Sequence, residues 1–250
     1  MAKKSQIEWT EMTWNPVTGC DKVSPGCKNC YAERMSGRLK LMGSDRYRNG
    51  FEVTLQSDLV SLPKSWKTPR IVFVNSMSDL FHKAVPDSFI LEVFKVMNEC
   101  PQHQFQVLTK RPERLKTLSD RINWTENIWM GVSVESQPFV ARTRILSEIP
   151  AKIRFLSIEP LLGEISDLHL EKIHWVIVGG ESGPGARLVD KNWVESIYRQ
   201  CKKKKVPFFF KQWGGTQKHR TGRELFGRTF DEMPTFTTGV QPASLRLVGG

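Results

Sequence analysis

Short apolar runs, rich in β-branched and aromatic residues, recur along the chain with amphipathic stretches between them. Most of the runs lack strict alternation of apolar and polar positions, which is typical of parallel strands buried on both faces. They cover residues 51–55, 71–74, 105–108, 128–132, 153–156, 175–178 and 206–210, and a shorter run at 6–9 is a candidate eighth strand.

The stretches between the runs carry apolar residues at helical spacing. They predict helices at 31–41, 86–97, 138–149 and 191–201. Strands that alternate with helices indicate an α/β fold, and about seven or eight βα units fit a (β/α) barrel, either partial or closed. An open, doubly wound sheet is the alternative, because strand order cannot be read from the sequence.

Polar residues follow the predicted strands at the points where the strands end. In a barrel, the carboxyl ends of the strands form one mouth, so we expect these residues to share a site. Lys110, Arg111, Arg187 and Lys211 bring cations to this mouth, with aromatic faces from Trp14 and Trp213 nearby. This combination suits a phosphate-bearing nucleotide or an extruded base.

Charge and composition add a weaker indication of the same kind. The 250 residues carry a formal net charge of +11, which favours a polyanionic partner such as nucleic acid, although a merely solvated basic surface stays an alternative. The chain has no apolar signal segment and no run long enough to span a bilayer, so we expect a cytoplasmic protein without membrane contact. Residues 1–234 are expected to form one domain, and 235–250 a flexible tail or an added extension.

Three cysteines near the start of the chain are the strongest chemical signal. Cys20, Cys27 and Cys30 follow the spacing Cys-x6-Cys-x2-Cys in a loop that contains Gly and Pro. Three thiolates form a cup with one open position, which fits zinc or an iron–sulfur cluster about equally well and a disulfide less well. Cys100 and Cys201 lie in helical stretches and are expected to be incidental thiols.

Several motifs resemble a phage- and prophage-associated protein family of unknown function that has a three-cysteine motif and is related to the radical S-adenosylmethionine (SAM) enzymes. They are the segments 9–20 and 30–35, Ser157-Ile158-Glu159-Pro160-Leu161, Gly179-Gly180-Glu181-Ser182-Gly183, Lys211-Gln212-Trp213-Gly214 and 222–234. The resemblance implies a barrel of the radical SAM type. It also implies a [4Fe–4S] cluster on Cys20, Cys27 and Cys30, SAM on the fourth iron, and a flavodoxin-like or ferredoxin-like one-electron donor.

The resemblance also implies which residues meet the cofactor. Ser76, Ser78 and Asp79 suit the methionine part of SAM, and Ser133 and Glu135 suit its ribose. The further candidates are Tyr31, Glu159, Gly179, Gly180 and Glu181. The usual radical SAM spacing is Cys-x3-Cys-x-aromatic-Cys, whereas this chain has a longer first gap, Asn29 at the aromatic position and Tyr31 after the last cysteine.

The function expected from these observations is radical chemistry on a nucleotide or nucleic-acid base, either modification or DNA repair of a photoproduct. A peptide or small-metabolite substrate is the alternative within enzymology. A non-catalytic nucleic-acid-binding protein, stabilised by zinc or a cluster, is the alternative of another class.

Overall fold

The computed structural model describes Ser5 and residues 7–235 of the chain. Its main sheet has seven parallel strands in the order β1-β4-β5-β6-β7-β8-β9. The strands are β1 (Met12–Trp14), β4 (Ile71–Val74), β5 (Gln104–Thr109), β6 (Ile128–Ser133), β7 (Ile153–Ile158), β8 (Trp175–Gly179) and β9 (Phe208–Gln212). Two short strands, β2 (Val17–Thr18) and β3 (Thr54–Leu55), form a separate antiparallel pair.

Six α-helices lie among the described residues. They are α1 (Tyr31–Leu41), α2 (Asp87–Asn98), α3 (Pro112–Leu118), α4 (Ala141–Ser147), α5 (Lys191–Lys204) and α6 (Lys218–Thr221). In the larger apolar core, Phe94 and Met97 of α2 belong to the same cluster as Val107 of β5. None of the helices in the described part of the chain has the length and apolar character needed to cross a membrane.

The sheet curls around a second, aromatic core on its inner face. This core includes Trp9, Trp129, Phe155, Trp175 and Phe209. The Trp9 ring lies 4.7 Å from that of Phe73 on β4 and 6.3 Å from that of Trp175 on β8. Because β4 and β8 are four positions apart in the sheet, a flat sheet would separate them by about 19 Å. The structure is therefore a partial (β/α) barrel, as predicted.

The strand order argues against the open, doubly wound alternative. From β4 to β9 each strand pairs with its successor in sequence, and β1 pairs with β4 at the edge. A doubly wound sheet requires a point where the order reverses, and the described strands run without one. The seven-stranded sheet therefore has a single direction of progression, which brings all its carboxyl ends to one mouth.

The first strand of the barrel differs from the prediction. Residues 7–9 form a turn that inserts Trp9 into the inner core, residue 6 lies outside the described residues, and β1 follows at Met12–Trp14. The run at 51–55 supplies β3, which pairs with β2 outside the main sheet. The predicted helix at 138–149 is shorter because a 3₁₀ turn at Gln137–Phe139 precedes α4. The predicted tail covers 235–250, of which all but residue 235 lies beyond the part of the chain that is described.

Candidate active site

The cysteine loop, residues 19–30, begins at a position that requires glycine. Gly19 has φ of +82°, and an added Cβ would lie 2.1 Å from the Glu52 carbonyl oxygen. Its amide donates to the Met77 carbonyl at 3.0 Å, just beyond the end of β4, and the Cys20 amide donates to the Phe51 carbonyl at 3.1 Å. These backbone contacts fix Cys20 beside the mouth of the barrel.

Two consecutive turns place the other two cysteines. A 3₁₀ helix at Pro25–Cys27 ends with Cys27, whose amide donates to the Ser24 carbonyl at 2.9 Å. Cys30 is the residue before α1, and its carbonyl accepts from the Arg34 amide. The Cys-x2-Cys pair therefore joins a tight turn to the start of a helix.

All three cysteines line one cavity of about 190 Å³. The cavity also brings together six other predicted site residues, namely Ser76, Ser78, Asp79, Lys110, Arg111 and Ser133. In the described residues, no group of three His, Cys, Asp or Glu side chains is arranged around a single metal ion. Three thiols that line one cavity are a donor set that suits an iron–sulfur cluster, in which each thiolate binds a different iron.

Asp79 organises one wall of this cavity. Its Oδ1 accepts from the Thr109 hydroxyl at 2.8 Å and from the Phe81 amide at 3.0 Å. Its Oδ2 accepts from the Lys110 amide at 3.0 Å and from Arg111 Nη1 at 2.8 Å. With its lone pairs engaged by the protein, Asp79 aims the Arg111 guanidinium at the cysteine loop.

Arg111 reaches the first cysteine directly. Its Nη1 lies 3.5 Å from Cys20 Sγ, and its Nη2 donates to the Asp21 carbonyl at 3.2 Å. Burial and the Asp79 carboxylate raise the pKa of Cys20 to about 11, and Arg111 opposes this rise. A cation that binds the thiolate would offset both unfavourable effects, because metal binding requires the deprotonated sulfur.

Glu135 braces the middle of the cysteine loop from inside the barrel. It is fully buried and accepts from Ser24 Oγ at 2.5 Å and Arg142 Nη1 at 3.0 Å, with Lys110 Nζ at 3.5 Å. A Cβ at Gly26 would lie 2.6 Å from its Oε1 atom. The carboxylate predicted to meet the SAM ribose is thus occupied by the loop and two cations.

Glu181 ties the loop after β8 to the cysteine loop. Its carboxylate accepts from Asn29 Nδ2 at 2.9 Å and from Arg187 through Nε at 2.9 Å and Nη2 at 2.5 Å. Burial opposes its ionisation, but the hydrogen bonds from Arg187 and Asn29 prevail and lower its pKa to about 2. Arg187 also donates to the Pro25 carbonyl at 3.0 Å. We call residues 181–187 the clasp.

Lys211 and Glu159 form an ion pair on the inner side of the barrel. Lys211 Nζ lies 3.0 Å from Glu159 Oε1, and Ser157 Oγ donates to Glu159 Oε2 at 3.2 Å. A Cβ at Gly179 would lie 3.0 Å from the same carboxylate, so glycine leaves room for the pair. Each of the four predicted mouth cations therefore contacts a carboxylate. The pairs are Lys211 with Glu159, Lys110 with Glu135, Arg111 with Asp79 and Arg187 with Glu181.

Neither of the two predicted tryptophans lines the cysteine cavity. Trp14 is 1% exposed, and its Nε1 donates to the Leu59 carbonyl at 2.8 Å in the outer core. A bulge beside Val178 and Gly179 changes the alternation of the opposite strand. Just after this strand, Trp213 packs on Phe210 at 4.7 Å, and its Nε1 donates to the Glu224 carbonyl.

Some predicted residues lie outside the cavity lining. Tyr31 is 58% exposed and lines a separate cleft, and Gly180 packs against the Trp213 carbonyl, where a Cβ would lie 1.9 Å away. Cys100 and Cys201 are unpaired and belong to the outer core. Burial raises the pKa of Cys201 to about 12, as expected for an inert thiol.

Asn75 is a site residue that the sequence predictions missed. It is 3% exposed, lines the cysteine cavity and has φ of +60°, a conformation that Asn tolerates better than most residues. Its Oδ1 accepts from the Val17 amide at 3.3 Å, but its Nδ2 has no partner among the described residues. The sequence feature that could have indicated this residue is its position directly after the apolar run at 71–74, at the end of a buried strand.

Comparison with known proteins places the chain in a family. Residues 4–234 match the model of the family "Protein of unknown function (DUF5131)", and the chain belongs to this family. No curated protein matches the chain in sequence.

Solved structures with a similar fold include two mutant forms of spore photoproduct lyase. One, a mutant with a single cysteine replaced by serine, is 13% identical with a TM-score of 0.46, and the match covers 72% of this chain and 58% of that one. The other, a double mutant with bound AdoMet and dinucleoside spore photoproduct, is 12% identical with a TM-score of 0.47, covering 81% of this chain and 64% of that one. The chain thus spans less than two thirds of either structure.

Proposed function

We propose that this protein is a radical SAM enzyme that acts on a nucleotide or nucleic-acid base. The observation that carries the proposal is the position of three thiols around one cavity, at the carboxyl ends of the strands of a partial (β/α) barrel. This edge is where barrel enzymes build their active sites.

The donor set fits a [4Fe–4S] cluster on Cys20, Cys27 and Cys30. Three thiolates leave one iron without a protein ligand, and SAM would bind there. When bound, the cluster and SAM would supply a 5′-deoxyadenosyl radical that takes hydrogen from the substrate. All five cysteines are unpaired, which suits a reducing compartment such as the cytoplasm.

Polar groups in the cavity fit the amino and carboxylate groups of SAM. Ser76 Oγ donates to Asn15 Oδ1 at 3.1 Å and Ser78 Oγ donates to the Val17 carbonyl at 2.8 Å, so both hydroxyl oxygens can accept from an ammonium. The Nδ2 of Asn75, unpartnered within the described chain, can donate to a carboxylate. Ser133 lines the same cavity and offers a hydroxyl to the ribose.

The floor of the cavity is apolar, because Phe73 and Leu108 both line it and pack against the inner aromatic core. The aromatic inner core, with Trp129, Phe155 and Trp175 buried, fills the barrel below the cavity. Excluding water protects a reactive intermediate from side reactions. A flavodoxin-like or ferredoxin-like electron donor, the phage association and the repair or modification outcome stay predictions.

Anaerobic purification tests the proposal. We expect a brown protein with about four irons per chain and an absorbance band at about 400 nm. With SAM and a reductant it should release 5′-deoxyadenosine. A colourless, zinc-loaded protein would support the non-catalytic alternative, and an intact cluster that releases no 5′-deoxyadenosine would contradict SAM cleavage.

Cysteine variants locate the cluster. Cys27→Ala should abolish iron incorporation because it removes one of the three thiols around the cavity. Cys100→Ala and Cys201→Ala are the matched controls, since both thiols lie in the outer core. Loss of iron from the Cys201→Ala protein, with its fold intact by circular dichroism, would overturn the ligand assignment.

A further inference from the structure

A second cleft, of about 620 Å³, lies beside the cysteine cavity. Its lining residues are Tyr31, Arg34, Met35, Arg38, Ser182, Gly183, Thr216, Gln217 and Arg220. The lining contains three arginines and no carboxylate. We refer to it as the arginine cleft, and its volume is within the range of about 300–1,000 Å³ that is usual for ligand pockets.

The cysteine cavity and the arginine cleft meet at the start of α1. Cys30 lines the cavity, and the next residue, Tyr31, lines the cleft. Tyr31, Arg34, Met35 and Arg38 follow the spacing i, i+3, i+4, i+7 and so share one face of α1. A ligand in the cleft would therefore lie directly alongside the proposed cluster loop.

The arginines differ in what they already contact. Arg34 donates to the Ser182 carbonyl at 3.1 Å and to the Pro184 carbonyl at 3.5 Å, so it helps to hold the clasp against α1. Arg38 and Arg220 are exposed, and neither forms an ion pair with another residue of the described chain. Arg34 and Arg38 are one turn apart, so their repulsion opposes helix formation unless an anion lies between them.

We propose that the arginine cleft binds the phosphodiester backbone of a single-stranded or locally unpaired polynucleotide, with one base stacked on Tyr31. This inference rests on the proposed function in treating the polynucleotide as the substrate. Binding of the polynucleotide can nevertheless be measured independently of enzyme activity. Unpaired guanidinium groups in a concave surface attract phosphates, and an exposed aromatic ring provides the stacking face that unpaired bases use. The mouth cations cannot serve in the same way, because carboxylates neutralise them.

Fluorescence anisotropy with a labelled single-stranded DNA, measured across a salt series, tests this proposal. Arg38→Gln and Arg220→Gln should each weaken binding and reduce the slope of log affinity against log salt by about 0.7, the value for one released counterion on a single strand. Tyr31→Ala should weaken binding at least about fivefold, while Tyr31→Phe should retain it. Arg38→Lys should leave the slope of log affinity against log salt unchanged, because lysine keeps the positive charge.

Arg144→Gln is the matched control, because Arg144 is an exposed arginine on α4 that lines neither cavity. Equal salt slopes for Arg38→Gln, Arg220→Gln and Arg144→Gln would overturn the assignment, as would absence of DNA binding at low salt. Competition by poly-aspartate as strong as that by unlabelled DNA would also overturn it in favour of an acidic polypeptide. Iron content and release of 5′-deoxyadenosine, measured on the same preparations, report separately on the proposed enzyme.

Discussion

Glu181 illustrates how a predicted ligand contact becomes a structural contact once the chain is folded. Its carboxylate accepts from Asn29 in the cysteine loop and from Arg187 in the clasp. It lines neither the cysteine cavity nor the arginine cleft. We therefore regard Glu181 as a positioning residue that acts on the cysteine loop through Asn29 and through Arg187, which donates to the Pro25 carbonyl.

The lowered pKa of Glu181 predicts a pH dependence of stability. Folding lowers its pKa from 4.5 to about 2, so its stabilising contribution is complete above pH 4.5 and is lost as the pH falls towards 2. A shift of this size corresponds to at most about 3 kcal/mol. Glu181→Gln should therefore lower the free energy of unfolding at neutral pH by about 1 to 3 kcal/mol, with a smaller difference in acid. Urea unfolding of both proteins from neutral to acidic pH measures this.

Glu171→Gln is a suitable control because Glu171 is exposed and forms no ion pair with the described residues. This variant should follow the wild-type pH profile. If the stability of Glu181→Gln also followed the wild-type pH profile, the Glu181 carboxylate would not be the group that holds the clasp.

At the scale of elements, two glycines near the cysteine loop have opposite requirements. Gly19 precedes Cys20 with φ of +82° and is crowded by the backbone at Glu52. Gly37 lies within α1, is exposed and has no atom within 4 Å of the Cβ position. The glycine at position 19 is needed to hold the cysteine loop, whereas the glycine at position 37 only weakens α1.

Alanine substitutions should separate these two effects. Gly19→Ala should lower the free energy of unfolding by at least about 2 kcal/mol and reduce iron content, because the strained backbone displaces Cys20. Gly37→Ala should raise it by about 0.5 to 1 kcal/mol and leave iron content unchanged. Thermal melts and iron assays of both variants test this. Equal iron content in the two variants would show that the turn at Gly19 does not position the cysteine loop.

The sequence predicted the long strands of the barrel but missed its first one. Strands such as β6 and β8 are buried along their whole length, and their apolar runs indicate this directly. Strand β1 has only three residues, too few to show a pattern, and the segment before it supplies Trp9 to the inner core instead. Tertiary packing, which local pattern does not contain, decided between them.

The cysteines were predictable as a site, whereas the pairing of the mouth charges was not. Cations and carboxylates both occur at strand ends in the sequence, but which of them meet depends on strand order and on the bulge beside Gly179. The arginine cleft combines α1 with residues 182–183, 216–217 and 220, which are distant in sequence. Such a surface becomes visible only when the fold is known.

At the scale of the whole molecule, Trp9 connects the two sides of the partial barrel. It is 4% exposed and contacts Phe73 on β4, Phe155 on β7 and Trp175 on β8. The Gln106 side chain of β5 also donates to its carbonyl at 3.3 Å. A residue that precedes the first strand therefore fills the space on which the inner faces of the strands converge.

Trp9→Ala should consequently destabilise the barrel as a unit. Removing a buried tryptophan is expected to lower the free energy of unfolding by about 3 to 5 kcal/mol. Because the ring contacts both β4 and β8, amide hydrogen exchange should accelerate in both strands together, although they are four positions apart in the sheet. Trp9→Phe should be milder, since the indole Nε1 has no hydrogen-bond partner in the described chain to lose and most of the ring volume remains.

Trp193→Ala, at a partly buried position on α5, is the control for loss of a tryptophan outside the inner core. Faster exchange confined to β4 after Trp9→Ala would mean that the two sides of the barrel are stabilised independently, and that the inner aromatic core does not hold the mouth in its curled form.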